Sequence, residues 1–132
     1  VWEAAMFAGF RELDNLVVIV DNNNLQIDGS LEEVCSAYPI DKKFEAFHFH
    51  VIRVDDGNDM EKLRSAFREA RTVTGKPTAI IAETVKGKGI SFMEDKASWH
   101  GKAPNDAEYK TAMEELKRLG EKLEKEGRGD GE

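Results

Sequence analysis

A single cysteine, Cys35, stands in 132 residues, so no disulfide can form within the chain, and a reducing compartment suits it. As a lone thiol it is expected to be a small buried apolar side chain. Basic residues are also in short supply. Nineteen Lys and Arg stand against 26 Asp and Glu, a formal net charge of −7, which argues against nucleic acid or an anionic membrane as a partner. No apolar run approaches the roughly 20 residues needed to span a bilayer, and no signal peptide, internal repeat or domain linker is expected from the pattern. What remains is an ordinary soluble composition, 34% charged and 40% hydrophobic, with one core expected at this length. Val1 enters an amphipathic helix at once and without a cap, as though the chain were cut from something longer.

Helical and strand patterns alternate along the chain. Residues 2–12 read as a helix with Ala, Met and Phe on a broad apolar face, Asp14 and Asn15 as a turn, and 16–20 as a buried strand, too short and β-branched for a helix. Ser30 and Glu33 have capping-box spacing, which predicts a short helix over 31–37 before Pro39 stops it. A short helix at 41–47 and an alternating strand at 49–54 follow. Asp59 caps a helix in which Met60, Leu63, Phe67 and Ala70 recur at helical spacing through 73, and Gly75-Lys76-Pro77 ends it. Residues 78–82 form a third buried strand. Strand, helix, strand, helix, strand implies right-handed crossovers, so the expected class is α/β: an open, mostly parallel sheet with helices on both faces. Residues 84–104 read as one long loop, of a length that is often functional. Residues 106–126 form a charged helix striped by Tyr109, Met113, Leu116, Leu119 and Leu123, and 127–132 a disordered tail.

Open α/β sheets bind ligands at the carboxyl ends of their strands, and two polar stretches leave on that side. In the first, Val17-Val18-Ile19-Val20 breaks into Asp21-Asn22-Asn23-Asn24, hard oxygen donors of the kind Mg2+ or Ca2+ accepts while bridging to phosphates. The same amides equally suit capping a turn. In the second, His100 stands between Trp99 and Gly101 and has the chemistry to hydrogen-bond a phosphate or move a proton near neutral pH. Lys86-Gly87-Lys88-Gly89 lacks the glycine pattern of a P-loop and follows rather than precedes a helix, so it carries little by itself. His48 and His50, at i and i+2 on one strand face, have no third ligand nearby and read as packing or surface residues.

Four stretches, in order, resemble the thiamine-diphosphate-binding domain of transketolase, and more closely the amino-terminal subunit of its split bacterial and archaeal form. They are Trp2 to Gly9, Asp14-Asn15-Leu16, Val20 to Gly29, and Thr84 to Met93 followed by Trp99-His100-Gly101. The resemblance implies thiamine diphosphate held through Mg2+ (or Ca2+), with the metal-binding amide on Asn23, the metal-binding carbonyl on Leu25, and Ile27 as a cofactor contact. It places His100 near the diphosphate, where it helps proton transfer on the substrate. Glu3 matches a glutamate near the subunit interface, in a proton-linked acidic cluster between cofactor sites.

The activity implied is transfer of a two-carbon ketol unit between sugar phosphates, in the pentose phosphate pathway of the cytoplasm, by a dimer that includes a pyrimidine-binding domain or subunit. The Gly-Asp-Gly that begins the family's metal motif, the strand before it and the substrate-binding histidines have no counterpart here. Residues 1–126 therefore correspond to the C-terminal portion of the diphosphate-binding domain; the fold is expected to be incomplete and the chain inactive alone. Gly129-Asp130-Gly131-Glu132 has the motif's letters after the Asn loop instead of before it, and reads as a chance tail. Deoxyxylulose-phosphate synthase and 2-oxoacid dehydrogenase components share the motif skeleton. The alternative of another class is a non-catalytic α/β interaction subunit in which Asn22 to Asn24 only cap a turn.

Overall fold

A computed structural model describes residues 1–129. Its elements run α1 (Trp2–Phe10), β1 (Val17–Asn22), β2 (Leu25–Gln26), β3 (Gly29–Ser30), α2 (Ile40–Ala46), β4 (His50–Val54), α3 (Met60–Ala70), β5 (Thr78–Glu83), a 3-10 turn at Ala97–Trp99, and α4 (Asp106–Gly129). β1, β5 and β4 form a parallel sheet in that order, with Val17 and His50 both opposite Thr78. The central strand β5 carries Ala79, Ile80, Ile81 and Ala82, all buried, as a strand covered on both faces requires.

Successive residues of β5 point to opposite faces, so one strand feeds two apolar layers. Ala79 and Ile81 pack with Ala5 and Ala8 of α1 and Ile40 and Phe44 of α2. Ile80 and Ala82 pack with Ala66 and Ala70 of α3 and Ile52 and Val54 of β4. The fold is the expected α/β arrangement with helices on both faces, incomplete in having three strands in its main sheet. Asp59 caps α3 as its position predicts, accepting from the amides of Glu61 at 2.8 Å and Lys62 at 3.3 Å. Among the described residues no helix is long and apolar enough to cross a membrane.

Several elements depart from the sequence reading. The helix expected over 31–37 does not form, although its capping contacts do: Ser30 donates to Glu33 from its amide and hydroxyl, and Glu33 donates back. Those bonds close a turn, and the chain then runs on without regular structure to Pro39, which disfavours helix in the residue before it. Cys35, on this irregular segment, is exposed, not buried. β1 extends beyond residue 20 because Asp21 and Asn22 pair with Ala82 and Glu83. His48 precedes β4 in a left-handed conformation (φ 64°), so it shares no strand face with His50, whose Nε2 lies 2.8 Å from Glu69 Oε1. α4 runs three residues past 126, to Gly129; residues 130–132, and with them most of the Gly-Asp-Gly-Glu sequence, lie outside the described residues.

Candidate functional site

At the carboxyl end of β1 the chain turns back through the β2–β3 hairpin, and the three asparagines play three parts. Asn22 is buried, and its Oδ1 accepts from the Tyr38 hydroxyl at 3.1 Å. Asn24 adopts a left-handed φ of 59°, which asparagine tolerates, and its carbonyl accepts from Leu31 N at 3.0 Å. Between them, Asn23 Oδ1 accepts from Leu25 N at 3.1 Å in an Asx turn. The Leu31-to-Asn24 bond makes Leu25 and Ser30 a non-hydrogen-bonded pair, which turns the Leu25 carbonyl out of the ladder. Gln26 Nε2 donates to the Cys35 carbonyl and fastens the hairpin to the segment that follows.

The second loop leaves β5 at Thr84, whose hydroxyl donates to Asp21 and so ties the two strand ends together. Val85 N donates to Asn58 Oδ1 at 2.8 Å, and Gly57 N to the Glu83 carbonyl at 2.6 Å. A Cβ at Gly57 would lie 2.7 Å from Thr84 Cγ2 and 2.8 Å from Ala82 Cβ, so the approach requires glycine. The region read as one loop holds turns, left-handed Gly87 and Gly89, and the 3-10 turn before His100. Farther on, α4 grips it. Ser91 donates to Glu115 from its hydroxyl at 2.6 Å and its amide at 2.7 Å, and these bonds hold that carboxyl below its usual range. The amide of Asn105, then Lys102, do the same for Glu108.

Asn23, Leu25, Ile27 and His100, from two separate loops, line one cavity of about 430 Å3, and Gln26, Asp28 and Lys86 join them. A second concavity of about 680 Å3, lined in part by Asn22, Tyr38 and Thr84, also borders Asn23. Glu3 lines neither. It sits exposed in the first turn of α1. Gln26, Asp28, Val34 and Lys86 also line the cavity without having been assigned to it from sequence; for Lys86 the signal was the Lys-Gly-Lys-Gly run, set aside because it lacks a P-loop pattern.

The donor set suits a diphosphate with a hard divalent cation. Asn23 Oδ1 uses one lone pair on Leu25 and keeps a second, the Leu25 carbonyl is turned out of its ladder, and Asp28 adds a carboxylate to the wall. Lys86 and His100 offer an ammonium and an imidazole to phosphate oxygens. Among the described residues no three His, Cys, Asp or Glu cluster to hold a metal, so a cation here would draw on amide, carbonyl and ligand oxygens.

The family model "Transketolase, thiamine diphosphate binding domain" matches residues 1–123. The 6-deoxy-6-sulfo-D-fructose transketolase subunit SqwG of Clostridium sp. (strain MSTE9) is 41% identical over 120 residues, 91% of this chain and 43% of its own. An apulose-4-phosphate transketolase subunit of Phocaeicola vulgatus is 41% identical over 129 residues, 98% of this chain and 46% of its own. The chain thus spans less than half the length of these relatives. Mouse transketolase is 48% identical over 105 residues, 77% of this chain and 16% of its own. Among solved structures, transketolase from Campylobacter jejuni has a TM-score of 0.78 at 33% identity, over 87% of this chain and 18% of that one. Two polar loops converging at the carboxyl end of a parallel sheet, and a family match over nearly the whole chain, give one conclusion: the chain belongs to the transketolase family, within its thiamine diphosphate binding domain.

Proposed function

We propose that residues 1–126, as the C-terminal portion of the diphosphate-binding domain, supply one wall of the cofactor site of a transketolase that moves a two-carbon ketol unit between sugar phosphates. The observation that carries this reading is the meeting of Asn23, Leu25, Lys86 and His100 at one cavity. When bound, thiamine diphosphate supplies the carbanion chemistry. The Asn23 amide and Leu25 carbonyl would hold Mg2+ (or Ca2+), Lys86 would hold the diphosphate, and Ile27 would contact the cofactor. His100 would hydrogen-bond the diphosphate and move a proton on the substrate near neutral pH.

Two relatives named as subunits support a separate partner chain. The partner we assign is the pyrimidine-binding domain or subunit, in a dimeric enzyme of the pentose phosphate pathway in the cytoplasm, with the exposed Glu3 contributing to an acidic cluster at the subunit interface. Without that partner the chain is expected to show no ketol transfer.

In the complete enzyme, Asn23→Ala is expected to weaken Mg2+-dependent thiamine diphosphate binding by about a hundredfold in titration calorimetry. Unchanged affinity would move the metal site elsewhere. Product analysis is expected to show turnover of ketose donors; turnover of pyruvate would favour a deoxyxylulose-phosphate synthase.

A further inference from the structure

His100 is exposed, and its backbone is fixed by the bond from its amide to the Ala97 carbonyl at 2.8 Å. The neighbours of the residue do the rest. Trp99 Nε1 donates to the Phe92 carbonyl at 3.0 Å, and the two rings lie 5.3 Å apart. Lys102 Nζ sits 4.1 Å from the centroid of the Trp99 ring and 3.2 Å from Glu108 Oε1. At the other end of the segment, Ser91 is bound to Glu115. Glu108 and Glu115 are two helical turns apart and so lie on one face of α4. The segment that bears His100 is thus strung between two tethers to a single helix face, with Trp99 packed between them.

We infer that Trp99 and Lys102 are positioning residues for His100, fastening its loop to α4 so that the imidazole borders the cavity shared with Asn23 and Lys86. This rests on the reading of His100 as part of the cofactor site. Neither Trp99 nor Lys102 lines that cavity; their effect passes through the imidazole they flank. A loop held in place before the ligand arrives avoids the ordering cost that a loose loop would incur on binding.

A double-mutant cycle in the complete enzyme tests this, read as thiamine diphosphate affinity by calorimetry with Mg2+ and as kcat with a ketose donor. Trp99→Phe keeps the ring and removes the donor to Phe92; it is expected to lower affinity or kcat by about three- to tenfold. Lys102→Met keeps the stem and removes the charge, with an expected loss of about twofold. In a His100→Ala background both losses should vanish. Losses that persist there, or wild-type behaviour of both single variants, would overturn the proposal. If Trp99→Phe fails to fold, judged by its thermal midpoint, Lys102→Met carries the cycle alone. If His100→Ala by itself changes neither affinity nor kcat, the reading of His100 as a site residue fails and the positioning role falls with it, an outcome distinct from a silent Trp99 beside an effective His100.

Discussion

The two loops that wall the cavity are held in different ways. The tip of the first loop is fastened by near neighbours, Asn23 to Leu25, Asn24 to Leu31, Ser30 to Glu33 and Gln26 to Cys35, while its base is tied to distant groups, Asn22 to Tyr38 and Asp21 to Thr84. Residues 84–104 combine near contacts, Asp95 to Lys86 and Lys102 to Glu108 among them, with two from farther along the chain, Asn58 before them and Glu115 after. Contacts of the first kind re-form whenever their own segment closes. Those of the second kind exist only when α3 and α4 are docked. The hairpin that brings Asn23 and Leu25 to the cavity therefore closes on local contacts, while the loop that brings Lys86 and His100 also depends on the docking of α4. Damage to the scaffold should reach that second loop first.

The sharpest way to break this contrast is at Gly57, which touches the base of the second loop. Gly57→Ala forces a Cβ against Thr84 and Ala82, and a loss of about 2 kcal/mol is expected in denaturant unfolding. Because Thr84 also holds Asp21, this is the substitution that should disturb both loops together. An unchanged midpoint would mean that the backbone there yields freely.

Acid should act next in size, and on both loops alike. Glu33, Glu108 and Glu115 are each held below the usual carboxyl value of 4.5, by Ser30, by the Asn105 amide with Lys102, and by Ser91 respectively. Depressed folded-state values mean that their contribution is full above 4.5 and disappears as pH falls through the lower folded values. In a Trp2→Phe variant, Trp99 fluorescence is expected to change in that acid window, as Ser91 and Asn105 lose their carboxylate partners; an unchanged signal there would mean that these contacts do not hold the Trp99 loop.

The smallest effects separate the loops. Glu115→Gln is expected to raise hydrogen exchange at the Ser91 amide a few-fold and leave the Ser30 amide unchanged, and Glu33→Gln to do the reverse. Exchange rising at both amides in either variant would show that the two loops are coupled more strongly than their contacts suggest.

The same contrast explains what the sequence made legible. β1, β4, β5, α1, α3 and α4 follow from periodicity and caps, although β1, read as buried, exposes Val17 and Ile19 at the edge of the sheet, and the β2–β3 hairpin left no such pattern. The Asn run reads as a turn as readily as a ligand loop, and Asn23 does form a turn while it borders the cavity. Ser30 and Glu33 misled because a capping box reports a closed turn, and whether a helix follows depends on the residues beyond it. Lys86 was missed because its neighbours at the cavity come from a hairpin some sixty residues earlier, and no local spacing encodes that meeting. The three asparagines look equivalent in sequence. Only the hydroxyl of Tyr38 on Asn22 and the left-handed turn at Asn24 distinguish them.

The strand order has a consequence for how the molecule comes into being. β5, the central strand, is the last of the three to emerge in the chain, and neither β1 nor β4 pairs with the other. Among the described strands, β1 and β4 join one sheet only once Thr78 to Glu83 are inserted between them. Joining β1 and β4 through β5 is thus a non-local event of the slow kind that topology imposes. The same event brings Thr84 to Asp21, so the two walls of the cavity meet when β5 takes its place beside β1.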